Sequence, residues 1–274
     1  MTIMTELDEL IDLLEAEIPA NPESPRNQKL AAKLEKFLAK YFKKLETAFP
    51  YSKIDHIHNK YIKESLGSDA ANIINPILAT FDSSFTTELE GELVEIYLSG
   101  QAEMITWGKT KGGIPITYEG PPIKAAIDWA KSHVSKAKLV DGLNEETRRQ
   151  ISNIISDGIL NKRGIPGIKS DIRHSFNWMA RGAPSDIKGL TLASRAEMIA
   201  RTETANALSQ ASLDSMADMG IEGKEWVVSF PCDICLANEN DGIIPVSKAF
   251  TSGDMAPPAH PNCRCAIAPA RIRK

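Results

Sequence analysis

The sequence predicts an α+β chain, mostly helical, with a small β-rich unit at its C-terminal end. Three observations carry that expectation. Apolar residues recur at helical spacing through most of the chain up to Gly220. After Gly223 the pattern switches to short runs of aromatic and β-branched residues. All four cysteines fall between Cys232 and Cys265.

The first stretch, IMTELDELIDLLEAEI (3–18), sets Ile3, Leu7, Leu10, Ile11, Leu14 and Ile18 on one helical face, and PANPESP ends it. A second helix is expected at about 26–48, with Leu30, Leu34, Phe37, Tyr41 and Leu45 as its apolar stripe. Lys29, Lys33, Lys36, Lys40, Lys43 and Lys44 form a basic stripe offset by roughly 115° around the same helix. A solvated face is the plain expectation for these lysines. The sharper one is a docking surface for an acidic partner or a nucleic-acid backbone. His56 and His58 are two apart, do not face each other on a helix, and are expected to be structural or exposed. Residues 70–107 read as helical through Ile73, Ile74, Ile77, Leu78, Phe81, Leu93, Ile96 and Tyr97.

WGKTKGGIPITYEGPP (107–122) crowds Gly108, Gly112, Gly113, Pro115, Gly120, Pro121 and Pro122 into one span that neither helix nor central strand tolerates. The expected organisation is a helical region at 1–110 for docking or assembly, a linker at 111–122, a helical part at 123–223 and a small β-rich unit at 224–274. Asn144 is a plausible N-cap for NEETRRQISNIISDGIL, and Gly220 a C-cap for the long alanine-rich helix before it. EWVVSF reads as a strand with Trp226, Val228 and Phe230 on one face. NDGIIPV reads as a turn at Asp241-Gly242 followed by an apolar run, and CAIAPARI as a third strand.

At 274 residues, 42% hydrophobic and 25% charged, the chain has an ordinary globular composition. The net charge of −4 excludes polyanion binding by bulk charge. No run of 18 apolar residues exists, so no membrane span is expected. MTIMTELDEL lacks a basic-then-apolar signal, which points to folding in a reducing cytoplasm where disulfides are unusual.

Such a small β unit buries little apolar area and calls for a staple. Cys232 and Cys235, followed by His260, Cys263 and Cys265, offer five candidates for the four positions of one structural zinc ion. Cys263 and Cys265 would point oppositely in a strand, and can share an ion only if the chain turns at Arg264. The fourth ligand, His260 or Cys265, is left open. Disulfides, free thiols and a redox pair are the competing readings. Pro231-Cys232-Asp233-Ile234-Cys235 matches half of a zinc-deaminase signature, but no histidine here has glutamate two residues on, so deamination is discarded. A zinc-dependent, HNH-like nuclease or a toxin-like protein remains as the enzymatic alternative.

In RAEMIARTETANAL, charged residues set among alanines suggest close packing. Arg201, Thr202, Glu203 and Thr204 are expected to form a polar clasp between this helix and the cysteine unit. Exposed ion pairing with Glu197 is the plainer expectation.

Taken together, RAEMIARTETANAL, EWVVSFPCDICLANENDG and PPAHPNCRCAIAP resemble the phage head morphogenesis family of Mu F-type minor head proteins, over about residues 120–270. The resemblance implies a non-enzymatic minor capsid protein of a tailed phage, located in the virion head or near the portal, and in the host cytoplasm during assembly. It implies contact with the portal protein and with major capsid or scaffolding proteins, and weak contact with packaged DNA. The family's metal motif maps onto Cys232, Cys235, His260, Cys263 and Cys265, and its Arg-Thr-Glu-Thr onto residues 201–204.

Overall fold

The computed structural model describes residues 18–55, 69–114, 123–136, 149, 151–158, 161, 164–177, 192–229 and 232–272. The expected helix at 3–18 up to Glu17, His56 and His58, Asn144, and the Gly/Pro stretch from Pro115 to Pro122 lie outside them.

The chain is mostly helical, with a small three-stranded antiparallel sheet near its C-terminus. The helices are α1 (Pro25–Ala48), α2 (Asp69–Thr110), α3 (Ile123–Lys136), α4 (Ile165–Asn177), α5 (Leu192–Asp218) and α6 (Asp233–Asn240). A further helical segment covers 151–158. The strands are β1 (Gly223–Val227), β2 (Ile244–Pro245) and β3 (Ala266–Ala270).

Local chemistry sets the helix ends. Ser24 caps α1 by accepting the Asn27 amide at 3.2 Å, with Pro25 at the first helical position, where its missing N–H costs nothing. Gly220 ends α5 at φ +66°. There the Ile221 amide reaches the Met216 carbonyl (2.8 Å) and the Gly220 amide reaches Ala217 (3.1 Å), the double bond of a Schellman cap. The α1 stripe differs from the expected one. Leu34, Tyr41 and Leu45 are buried as expected, but Leu38 and Phe42 are buried with them, while Leu30 and Phe37 are half-buried.

The described chain divides into two compact units. One comprises Glu35–Leu89 and Ser132–Glu197. Its core holds Leu38, Phe42, Phe85, Leu89, Ile151, Ile155, Ile168 and Ile172, with the Tyr41 and Phe85 rings 4.0 Å apart. A side chain at Gly158 would meet Ile168 Cγ1 at 2.6 Å, so only glycine allows this approach.

The other comprises Met1–Leu34, Glu90–Lys131 and Met198–Lys274. Here the alanines of α5 do their packing. Ala205, Ala207, Leu208 and Ala211 are fully buried, and a Cβ at Gly100 on α2 would lie 3.1 Å from both Ala211 and Leu208. Tyr97 donates its hydroxyl to Asp214. In the sheet β1 is central, flanked by β2 and β3, with Trp226 opposite Ile267 and Lys224 opposite both Ile244 and Pro269. Trp226 meets Phe250 edge-on at 5.1 Å. These residues share one core with Met104 of α2, Met216 of α5, and Cys235, Cys263 and Cys265.

Candidate metal centre

Two turns deliver the cysteines and the histidine. The first opens α6. Cys232 is its N-cap in extended backbone (φ −108°, ψ 173°), and its carbonyl accepts the Leu236 amide at 2.9 Å. Its sulfur makes no capping bond of ordinary geometry, but the amides of Cys235 and Ile234 point at it and favour the thiolate. The turn expected at Asp241-Gly242 is present and ends this helix, with Gly242 at φ +61° and β2 following. Sequence reasoning missed α6 itself, because eight residues carry too little periodicity to betray a helix.

The second turn is His260-Pro261-Asn262-Cys263. Asn262 adopts φ +62°, and the Cys263 amide donates to the His260 carbonyl at 3.2 Å. His260 Nδ1 lies 2.9 Å from the Pro261 carbonyl. A carbonyl can only accept, so Nδ1 carries the proton and Nε2 presents its lone pair. That nitrogen faces Cys232 Sγ at 3.2 Å and Cys235 Sγ at 3.5 Å. Cys232 and Cys235 sulfurs are 3.6 Å apart, and Cys235 and Cys263 sulfurs 3.7 Å. The backbone at 263–265 is not strand, since β3 begins at Ala266, and this lets Cys263 and Cys265 approach the same sulfur.

Two ligand groups result: Cys232, Cys235 and His260, and Cys235, Cys263 and Cys265. They share Cys235, and either can hold a metal ion. Thiolate and imidazole donors suit a soft or borderline divalent ion. All four cysteines are free thiols, and three are buried. Crowding splits their acidities. The Cys263 thiol donates to Cys265 and holds it down to about 5, helped by the Ser229 amide; the same proton, with burial, pushes Cys263 up. The Trp226 indole N–H has no partner at ordinary hydrogen-bond geometry, yet lies close enough to Cys265 to favour its thiolate. Burial drives Cys235 up to about 12. A bound cation displaces such protons outright.

Residues 145–268 match the family described as Phage Mu protein F like protein. The expected resemblance is therefore shown over that segment, which contains both turns and all five candidate ligands. No curated protein and no solved structure matches the chain.

Within the Mu F-like segment the Arg-Thr-Glu-Thr residues lie beside the second turn. Thr202 Oγ1 donates to the Met198 carbonyl and accepts the Asn262 amide at 2.9 Å. Arg201 donates to Glu23 Oε1 and Arg264 to Glu23 Oε2, each at 3.3 Å. Glu203 and Thr204 are buried, and Glu203 accepts from Asn206 Nδ2 at 3.2 Å. The sequence offered no sign of Glu23, which lies 178 positions from Arg201.

The six lysines of α1 are all exposed. Lys33 pairs with Glu92 at 3.2 Å and with Glu95, whose hydrogen bond raises its pKa, and Lys43 pairs with Glu46. No described helix is long and apolar enough to cross a membrane.

Proposed function

We propose that this chain is a minor head protein of a tailed bacteriophage, non-enzymatic, acting in prohead assembly beside the portal. The match of residues 145–268 to the Mu F-like family carries the reading. Its partners would be the portal protein and the major capsid or scaffolding proteins, and its place the head interior or portal vicinity. The region 1–110 would dock, 111–122 would link, and 123–223 with 224–274 would form the Mu F-like body. The exposed lysines of α1 would supply a weak electrostatic contact with DNA or an acidic partner; their pairing with Glu92, Glu95 and Glu46 moderates it.

We further propose that one zinc ion staples the C-terminal unit through residues drawn from Cys232, Cys235, His260, Cys263 and Cys265. Three of the four sulfurs are buried in a core shared with Trp226 and Phe250, and the number of protein donors suffices to fill the coordination sphere. Structural zinc sites are filled in this way, whereas catalytic ones keep a position open. An HNH-like nuclease would need a second histidine or acid beside the ion. Among the described residues, both ligand groups hold only cysteines and His260.

Co-expression with the cognate portal tests the main reading. Retention of the chain on purified portal rings, and its density near the portal in assembled heads, is the expected result. Turnover of plasmid DNA with added Mg²⁺ and no portal association would overturn it.

A further inference from the structure

We infer that the ion is held by Cys232, Cys235, His260 and Cys263, and that Cys265 is a buried thiol that does not ligate it. This assignment rests on the zinc reading above and goes beyond it by choosing four donors from five.

The two turns follow one local plan. Cys232-Asp233-Ile234-Cys235 and His260-Pro261-Asn262-Cys263 each place donors three residues apart. Each turn is closed by a backbone bond to the carbonyl of its first donor, from Leu236 to Cys232 at 2.9 Å and from Cys263 to His260 at 3.2 Å. Two such pairs make a tetrahedral set, each supplying one edge.

Four of the six edges agree with that set, and the two from Cys263 to Cys232 and to His260 are longer. Tetrahedral zinc with bonds of ~2.3 Å to sulfur and ~2.0 Å to nitrogen has sulfur–sulfur edges near ~3.8 Å and sulfur–nitrogen edges near ~3.5 Å. The Cys232–Cys235 and Cys235–Cys263 edges are 3.6 and 3.7 Å, and the edges from His260 Nε2 are 3.2 and 3.5 Å. The Nδ1 contact to the Pro261 carbonyl is the outer bond that fixes a ligating imidazole. The assignment requires the Cys263 sulfur to turn from its neighbour Cys265 toward Cys232 and His260 when an ion binds.

Cys265 has a different setting. It stands one residue before β3, 1% exposed, in the core that also holds Cys235, Cys263, Met104, Met216 and Ile267. Its sulfur faces the Ser229 amide and the Trp226 indole, both fixed to the β1 side of the unit. It groups with Cys235 and Cys263, and neither it nor Cys263 groups with Cys232 or His260; the three-residue spacing from His260 to Cys263 decides between the two. Its role is to fill the core at the site's back wall.

The test compares full-length wild type, Cys263→Ser, Cys265→Ala and Cys265→Ser, all reduced, by elemental analysis and by titration with Co²⁺ read in the visible spectrum. Wild type and Cys265→Ala should each bind one ion with the same spectrum and with affinities within a few-fold. Cys263→Ser should lose on the order of a hundredfold or more in affinity, since even outer partners of a ligand command up to about that. If Cys265→Ala and Cys265→Ser both bind no metal or both show an altered thiolate spectrum while remaining helical, the assignment is wrong, although the zinc staple stands. If reduced wild type takes up no ion, both fall. Cys265→Ser guards against a packing defect specific to alanine: metal loss in both Cys265 variants overturns the assignment, whereas retention in either one supports it.

Discussion

The Thr202 hydroxyl accepts the backbone amide of Asn262 at 2.9 Å, tying helix α5 to the middle of the His260–Cys263 turn. Asn262 sits at φ +62°, in the left-handed region that asparagine enters more readily than other side chains but still at some cost. Thr202→Val removes the acceptor and keeps the shape. The expected loss is about 1 kcal/mol of stability, with zinc affinity lower by roughly tenfold. Thr202→Ser should restore both. Chelator competition measured on the three proteins checks this, and equal affinities would show that the bond does not support the turn.

Glu23 divides its two carboxylate oxygens between Arg201 and Arg264. The carboxylate is mostly covered, as is Arg201, so this is not an ordinary surface pair. Glu23→Gln removes the negative charge that both guanidinium groups contact. A loss of about 1–3 kcal/mol is expected. A double-mutant cycle with Arg264→Met measures the coupling, and simple additivity would count against the bridge.

Much of this architecture can be read directly from residue spacing. Leu34, Tyr41 and Leu45 announce α1, and the change at Gly223 announces the sheet, because amphipathic periodicity is a local property. The cysteines and His260 announce a site, because thiols crowded into so short a stretch have few other uses. Glu23, Lys224 and α6 stayed hidden. The bridge from Glu23 depends on chain folding over 178 and 241 positions, which no local pattern encodes. Lys224 lies in a strand that reads as half-exposed, and its complete burial depends on the loop at Phe250–Met255. The choice among five ligands was equally hidden, since spacing does not say where Cys265 points.

Removing the ion should loosen the last fifty residues selectively. Cys232→Ser or chelation of the reduced protein takes away the link between the two turns, while the α2–α5 contact through Gly100, Leu208 and Ala211 does not depend on it. Hydrogen exchange should rise across 223–270 and stay low in α2 and α5. An equal rise in both would show that the C-terminal unit does not open on its own.

Gly223 is pinned between its neighbours. A Cβ there would lie 2.8 Å from the Ala270 carbonyl oxygen and within 3.1 Å of Ile243 and Ile272. Gly223→Ala must push β1 and β3 apart at a paired position. About 1–3 kcal/mol of destabilisation is expected, the usual range for overpacking. Denaturant unfolding measures it, and a change below a few tenths of a kcal/mol would mean the sheet end is slack.

Lys224 gives the protein a predictable alkaline response. Its side chain is sealed from solvent, donates to the Met255 carbonyl at 2.6 Å and lies 5.1 Å from the centre of the Phe250 ring. Burial lowers its pKa from the ordinary 10.5 to about 8. The folded chain therefore releases this proton before the unfolded chain does. Between about pH 8 and 10.5 the unfolded state binds more protons, so stability rises with pH across that window. Below it, the folded state carries a buried ammonium ion at a constant cost of roughly 3 kcal/mol. Lys224→Met should remove this cost and flatten the rise, while losing the bond to Met255. Urea unfolding of the metal-loaded wild type and Lys224→Met at pH 7 and pH 10 separates the two effects, because the titration of the released thiols is common to both proteins and cancels in the comparison. If wild type and Lys224→Met show the same pH slope, the lysine is not buried as a cation.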